Sequence, residues 1–161
     1  MSTVDAPDRP ATALAGAPPR ILAIIAPYYT AVVTGMMEGA RKTLAATPDA
    51  VLEVVEVAGA FELPATLRMA LVSGQAYDGF LLLGCVVKGE TDHYDFICSA
   101  VCDGVMAIAA ETGAAIGFGL ITVAEMAQAE ARSAPDRHNK GAESMSALLV
   151  QIAQRRSWAL S

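Results

Sequence analysis

The sequence predicts an α/β fold: a three-layer α/β/α sandwich around a four-stranded parallel sheet with flavodoxin-like strand order. Three observations lead there. Four apolar stretches, 21–26, 51–57, 79–85 and 116–121, read as strands. ILAIIA and GFLLLGC among them show no polar alternation, the mark of strands buried on both faces. Segments with apolar residues at helical spacing separate them, so the order is βαβαβαβαα, which requires parallel pairing and right-handed crossovers. In such folds a ligand sits beyond the carboxyl ends of the strands.

The elements follow in order. Residues 1–19 are rich in Ala and Pro and are expected to be extended or disordered, with one folded domain over 20–161. This opening lacks a basic region followed by an apolar run, so it does not read as a secretory signal. A helix over 31–46 gathers Val32, Met36, Met37, Ala40 and Leu44 on one face. The next, 62–73, gathers Leu63, Leu67, Ala70 and Leu71, with Pro64 in the first turn, where proline is tolerated. A long helix over 92–111 turns Tyr94, Ile97, Val101, Val105 and Ile108 to the core and Asp92, Asp95, Ser99 and Asp103 outward. Helices over 123–132 and 141–156 complete the chain. The methionines at 36, 37, 69, 106, 126 and 145 fall in these helical patterns and read as core or interface.

Composition excludes several functions. The chain has 161 residues, enough for one domain with a core, and is 54% hydrophobic. A mean hydropathy of +0.43 is high for a soluble monomer and points to an oligomer. No run approaches the ~18 apolar residues of a membrane span, so a cytoplasmic protein without a membrane partner is expected. The net charge is -6 and the 11 Lys and Arg are scattered, which argues against nucleic acid. Cys85, Cys98 and Cys102 form no CxxC pair and read as buried small hydrophobes in a reducing compartment. His93 and His138 are far apart and no ligand set accompanies them, so no metal is expected.

Four loops lie at the predicted strand ends: 27–30, 58–62, 86–93 and 122 onward. In the third, Gly89 allows close backbone approach, and Thr91 or Asp92 suits a helix N-cap. The amides that follow could receive an anion, with Lys88, Arg132 and Lys140 as candidate cations. His93 falls at the border of its helix, partly exposed, where it could move protons near neutral pH. Taken alone it reads slightly better as an idle surface histidine. Glu62 could accept ligand hydroxyls or simply favour its helix start. Phe61 reads as core or as a platform for a ring, and Tyr28 and Tyr29 as packing or stacking aromatics. Arg137 reads as part of a solvated loop.

GAFELP at 59–64, GCVVKGETDHYDF at 84–96, and Arg132 with Asn139-Lys140-Gly141 together resemble the lumazine synthase family, over about residues 20–156. The resemblance implies condensation of a ribitylamino-pyrimidinedione with 3,4-dihydroxy-2-butanone 4-phosphate, through an imine, loss of phosphate and ring closure. It implies neither metal nor organic cofactor. Tyr28 matches the aromatic that stacks on the pyrimidine. Ala60, Phe61 and Glu62 match the segment holding the ribityl chain, and Val86 and Val87 the residues at the pyrimidine edge. Glu90 and Thr91 match the backbone that binds phosphate, His93 the proton-transfer histidine, and Arg132 and Lys140 the cations near the phosphate. Phe118, Arg132 and Lys140 match residues that reach across a subunit interface, in an assembly built from pentamers. The chain departs from the family at Pro27, Tyr28 and Tyr29, and in SAPDRHN at 133–139, where Pro135 stiffens the turn and favours a pentamer over a shell. The rival expectations are a paralogue that binds lumazine or riboflavin with little turnover, a flavin-nucleotide binder, and a purely structural shell protein.

Overall fold

Strands that are apolar at every position must be covered on both faces, and two of the four strands here are. The computed structural model describes residues 12–160. The expectation for residues 1–11 lies outside them; residues 12–19 form no helix or strand. Strand β1 (Arg20–Ala26) is buried at every position after the first, and β3 (Gly79–Val87) is buried through Cys85. Strands β2 (Val51–Glu56) and β4 (Ile116–Val123) flank them in the order β2-β1-β3-β4, all parallel. This is the flavodoxin-like order, with the chain reversing direction across the sheet between β1 and β3.

The helices divide between the two faces as the alternation of β1 dictates. Ile21, Ala23 and Ile25 pack with α1 (Thr30–Leu44), α4 (Met126–Ser133) and α5 (Lys140–Ser157). Leu22, Ile24 and Ala26 pack with α2 (Leu63–Val72) and α3 (His93–Thr112). On α3, Val101 and Val105 are buried while Asp92, Asp95, Ser99 and Asp103 are exposed, the division its spacing predicted. Met36, Met37 and Met145 are core, whereas Met69 and Met106 lie exposed.

Two boundaries differ in a way that matters for the site. Strands β3 and β4 run to Val87 and Val123, two residues past the expected ends, because Val86 pairs with Thr122 and Val87 with Val123. The Lys88 amide still donates to the Val123 carbonyl at 2.9 Å. Val86 and Val87 are therefore strand residues, and the loops begin at Lys88 and Ala124. Helix α4 starts at Met126 instead of 123, behind a capping box in which Glu125 and Gln128 satisfy each other's amides.

Glycines set how closely the layers approach. A Cβ on Gly141 of α5 would collide with the Met36 backbone of α1. A Cβ on Gly119 of β4 would lie 2.6 Å from the Ser144 hydroxyl of α5. At the amino pole of the sheet, Arg20 Nε donates to Glu53 Oε1 at 2.7 Å and Tyr77 to Glu53 Oε2 at 2.9 Å. These two bonds hold the Glu53 carboxyl below the usual carboxylate range, the arginine contributing most. Arg156 donates to Asp78 at 2.8 Å beside them.

Gly141→Ala is expected to destabilise the fold by about 1–3 kcal/mol, the usual cost of forcing an extra carbon into a packed contact. In urea the midpoint falls with the slope unchanged. A midpoint equal to the parent's would show that α1 and α5 can separate without loss.

Candidate active site

All four strands point the same way, so their carboxyl ends share one rim of the sheet. The register makes that rim a step. Ala26, the last residue of β1, pairs with Gly84, so β3 continues three residues beyond it with β4 alongside. The step falls at the reversal between β1 and β3, where open α/β sheets hold their ligands.

Three turns surround the step. After β1 the chain makes a single tight helical turn, Pro27–Tyr29, which packs against β3. Tyr29 packs partly into the core, and Tyr28 stands 75% exposed with its ring edge-on to Tyr29, 5.1 Å between centroids. After β2 comes a second such turn, Ala60–Glu62, which packs against α3 and β3. Phe61 is 57% exposed there, so it is not a core residue. Glu62 is exposed, close beside Gly59. After β3, the half-buried Val86 and Val87 lead into Lys88, Gly89, Glu90 and Thr91, all exposed. Lys88 Nζ lies 5.8 Å from the centre of the Tyr94 ring.

His93 is the first residue of α3 and is exposed. The expected side-chain cap before it is absent. Asp92 has helical φ and ψ of -69° and -1°, and no side chain caps the helix. The Asp92 carbonyl instead receives the Asp95 and Phe96 amides at 3.0 and 3.3 Å. The earliest amides of α3 are thus left to solvent or to a ligand, and they carry the positive end of the helix dipole.

Phe118, Arg132 and Lys140 occupy a different place. They line a cleft of ≈ 390 Å³ along the free edge of β4, with Thr122, Glu143 and Ser144. Arg132, in the last turn of α4, donates to the Gln128 carbonyl at 2.8 Å. Lys140, the first residue of α5, donates to Glu143 Oε2 at 2.7 Å, with both side chains about three-quarters buried. No residue of the turns around His93 lines this cleft. The predicted site residues therefore form two groups within one chain: aromatic, carboxylate and histidine groups at the step, and a basic pair at the β4 edge.

Sequence reasoning gave no role to two residues that support the second group. Glu143 pairs with Lys140 three residues on, a spacing that was readable. Asn139 is 1% exposed and caps α5 through its side chain. An Asn ahead of a helical run signals a cap, but its burial depends on α1, which sequence spacing does not reveal.

Two of the three cysteines also differ from expectation. Cys85 is core, and burial pushes its thiol up to about 11. Cys98 is half-buried and Cys102 exposed, because the inward face of α3 is centred on Val101 and Val105 and leaves them at its margin. Burial raises both thiols as well, so none is primed as a nucleophile. Arg137 is exposed, its Nε 3.3 Å from His138 Nε2, as a solvated loop residue would be. Among the described residues, no group of His, Cys, Asp and Glu is arranged to hold a metal ion. Among them, too, no helix is long and apolar enough to cross a membrane.

Comparison with known proteins shows which family the chain resembles. A family model described as 6,7-dimethyl-8-ribityllumazine synthase matches residues 18–156. The 6,7-dimethyl-8-ribityllumazine synthase 1 of Caulobacter vibrioides is 37% identical over 137 residues, 84% of this chain and 89% of that protein. The 6,7-dimethyl-8-ribityllumazine synthase of Methylobacterium radiotolerans is 40% identical over 144 residues, 89% and 85% of the two chains. That of Limosilactobacillus reuteri is 37% identical over 133 residues, 83% and 87% of the two chains.

Proposed function

The chain belongs to the 6,7-dimethyl-8-ribityllumazine synthase family, and on that premise we propose how its two groups of residues perform the reaction. The enzyme condenses 5-amino-6-(D-ribitylamino)uracil with 3,4-dihydroxy-2-butanone 4-phosphate in riboflavin biosynthesis, giving 6,7-dimethyl-8-ribityllumazine, phosphate and water. The observation that carries the residue assignment is the gathering of Tyr28, Phe61, Glu62, Val86, Val87, Glu90, Thr91 and His93 around one step in the sheet.

The exposed Tyr28 ring supplies a stacking face for the pyrimidine, with Val86 and Val87 along its edge. Ala60, Phe61 and Glu62 flank the ribityl chain, whose hydroxyls the Glu62 carboxylate can accept. Backbone at Glu90 and Thr91 and the uncapped start of α3 receive the phosphate. The substrate amine attacks the ketone carbon, and its oxygen departs as water to leave an imine. His93 gives the proton that oxygen needs, then takes one from carbon as phosphate leaves. Loss of phosphate leaves an enol that tautomerises to a new ketone, and the ribitylamino nitrogen closes the ring on that carbon as a second water departs. Arg132 and Lys140 balance the phosphate charge, the first through its planar fork and the second as a point charge.

Because one chain keeps the basic pair apart from His93, the site is completed by a neighbouring copy that presents Phe118, Arg132 and Lys140. A cyclic homo-oligomer, a pentamer or a multiple of one, satisfies this with one repeated interface. The exposed apolar side chains Phe96, Met106 and Val150 agree with such burial. Substrates and product are small polar molecules, which supports our reading of a reaction in the cytoplasm. The reading as a binding paralogue with little turnover has no observation in its favour, since His93, Glu62, Arg132 and Lys140 are all in place.

His93→Ala is expected to lower kcat by one to several orders of magnitude, the usual range for a proton-transfer group, followed as lumazine absorbance. Unchanged turnover removes His93 from the chemistry. Arg132→Ala is expected to raise KM for the butanone phosphate about ten- to a hundredfold and spare KM for the pyrimidine, as loss of a charge-assisted hydrogen bond dictates. Equal weakening of both substrates contradicts that role. The two variants, unfolded and reassembled together in equal amounts and assayed with the butanone phosphate well below the raised KM, are expected to show roughly a quarter of parental activity, because random mixing in a ring pairs intact halves at that frequency. Activity no higher than the sum of the separate variants would mean that each site lies within one chain.

A further inference from the structure

We propose that Asn139 is the positioning residue that holds Arg132 and Lys140 side by side for the phosphate group. The inference rests on the reading above of those two cations as phosphate ligands. Two like charges repel, and here they sit on different helices joined by six residues, 134–139. Something must fix that connection, and its own backbone supplies little: the Asp136 amide donates to the Ala134 carbonyl at 2.8 Å and the Asn139 amide to the Asp136 carbonyl at 3.3 Å.

Within that connection Asp136 Oδ1 accepts from the His138 amide at 2.7 Å, and the buried Asn139 side chain supplies the ties to the helices. Asn139 Oδ1 accepts from the Ala142 amide at 3.0 Å, which fixes which way the amide group faces. Nδ2 then points at three carbonyls: Ser133 at 2.9 Å, Ala134 at 3.0 Å and Gly35 at 3.0 Å. Two N–H groups serve three acceptors, so one is shared. A single side chain thereby ties the end of α4 to the start of α5 and anchors both to α1. Ser133 directly follows Arg132, and Lys140 directly follows Asn139. The amide's hydrogen bonds all go to backbone and to neither cation, so its effect on them is geometric.

The surroundings are shaped for this contact. A Cβ on Gly39 of α1 would collide with the Asn139 amide. One on Gly35 would lie 2.5 Å from the Ser133 carbonyl. Asn is also the residue that meets both requirements. Ser or Asp would cap α5 but offers no N–H for the carbonyls, and Gln is a carbon too long to cap.

The test uses the assembled full-length protein and inorganic phosphate as the probe. Asn139→Ser retains the cap and removes the clamp. Inhibition by inorganic phosphate is expected to weaken about tenfold, with a parallel rise in KM for the butanone phosphate and no change in KM for the pyrimidine, as a misplaced charge contact predicts. Arg132→Ala run alongside, and the double variant, separate the possibilities. If Asn139 acts through the cations, the two effects on phosphate inhibition combine to less than their product. Parental phosphate inhibition in Asn139→Ser, with only a lower melting temperature, overturns the proposal, and so do independent multiplicative effects. If Arg132→Ala itself leaves phosphate inhibition unchanged, the phosphate reading of the basic pair falls and takes this proposal with it. Asn139→Thr, uncharged and still able to cap, gives the same comparison should the serine variant not fold.

Discussion

Burial of β1 and β3 on both faces is the constraint from which the rest of the structure follows. Strands with no polar face must be covered above and below, which requires helices in both layers and parallel strands joined by crossovers. Parallel pairing brings every strand end to one rim. Because β3 and β4 overrun β1 and β2, that rim carries a step, and the step is where flat and polar surfaces meet. The same overrun places Val86 and Val87 on a rigid ladder instead of a loop. A pyrimidine edge set against them meets groups whose positions are held by strand pairing.

A second constraint acts on the other side of the sheet. Helices α1 and α5 approach until their backbones touch, which glycine at 141 permits, while Gly35 and Gly39 of α1 leave room for the Ser133 carbonyl and the Asn139 side chain. That closeness creates the dry space in which a side chain with both donors and acceptors can join three helices. The contact also explains why Lys140 can begin a helix, a place where its positive charge meets the unfavourable end of the dipole. Glu143, one turn on, offsets that charge at 2.7 Å. The basic pair is thus an arrangement held against its own electrostatics, as binding sites for anions commonly are.

Much of the fold was legible from particular residues. ILAIIA and GFLLLGC announced the buried strands, and the spacing of Tyr94, Ile97, Val101, Val105 and Ile108 fixed the inward face of α3. What failed had physical reasons. The strand ends were read short at Cys85 and Ile121 because the last residues of β3 are only half-buried and β-ladder pairing is nonlocal. Thr91 or Asp92 was expected to cap α3 because both types favour that place, yet Asp92 already has helical backbone there and no side chain caps the helix. Cys98 and Cys102 were read as buried from residue type alone, but exposure follows position on the helix, and theirs is marginal. The residues proposed for the site at the step could be named from motif and loop position. The role of Asn139 could not, since three of its four hydrogen bonds run to carbonyls whose approach depends on tertiary packing.

The separation of the two groups within one chain has a consequence for how such a site is regulated by assembly. A lone chain would leave Tyr28 at 75% and Phe61 at 57% exposure, with a histidine beside water on every side. In that state an imine would be hydrolysed as readily as formed, and phosphate would meet only the weak field of one helix end. Bringing a β4 edge from another copy over the step adds two cations and an aromatic wall at once, and excludes water in the same movement. Charge strengthens as the dielectric falls, so the cations contribute most where the covering is complete. Under the shared-site reading, catalytic competence is therefore a property of the interface, and substitutions that loosen the assembly lower turnover even when they lie far from His93.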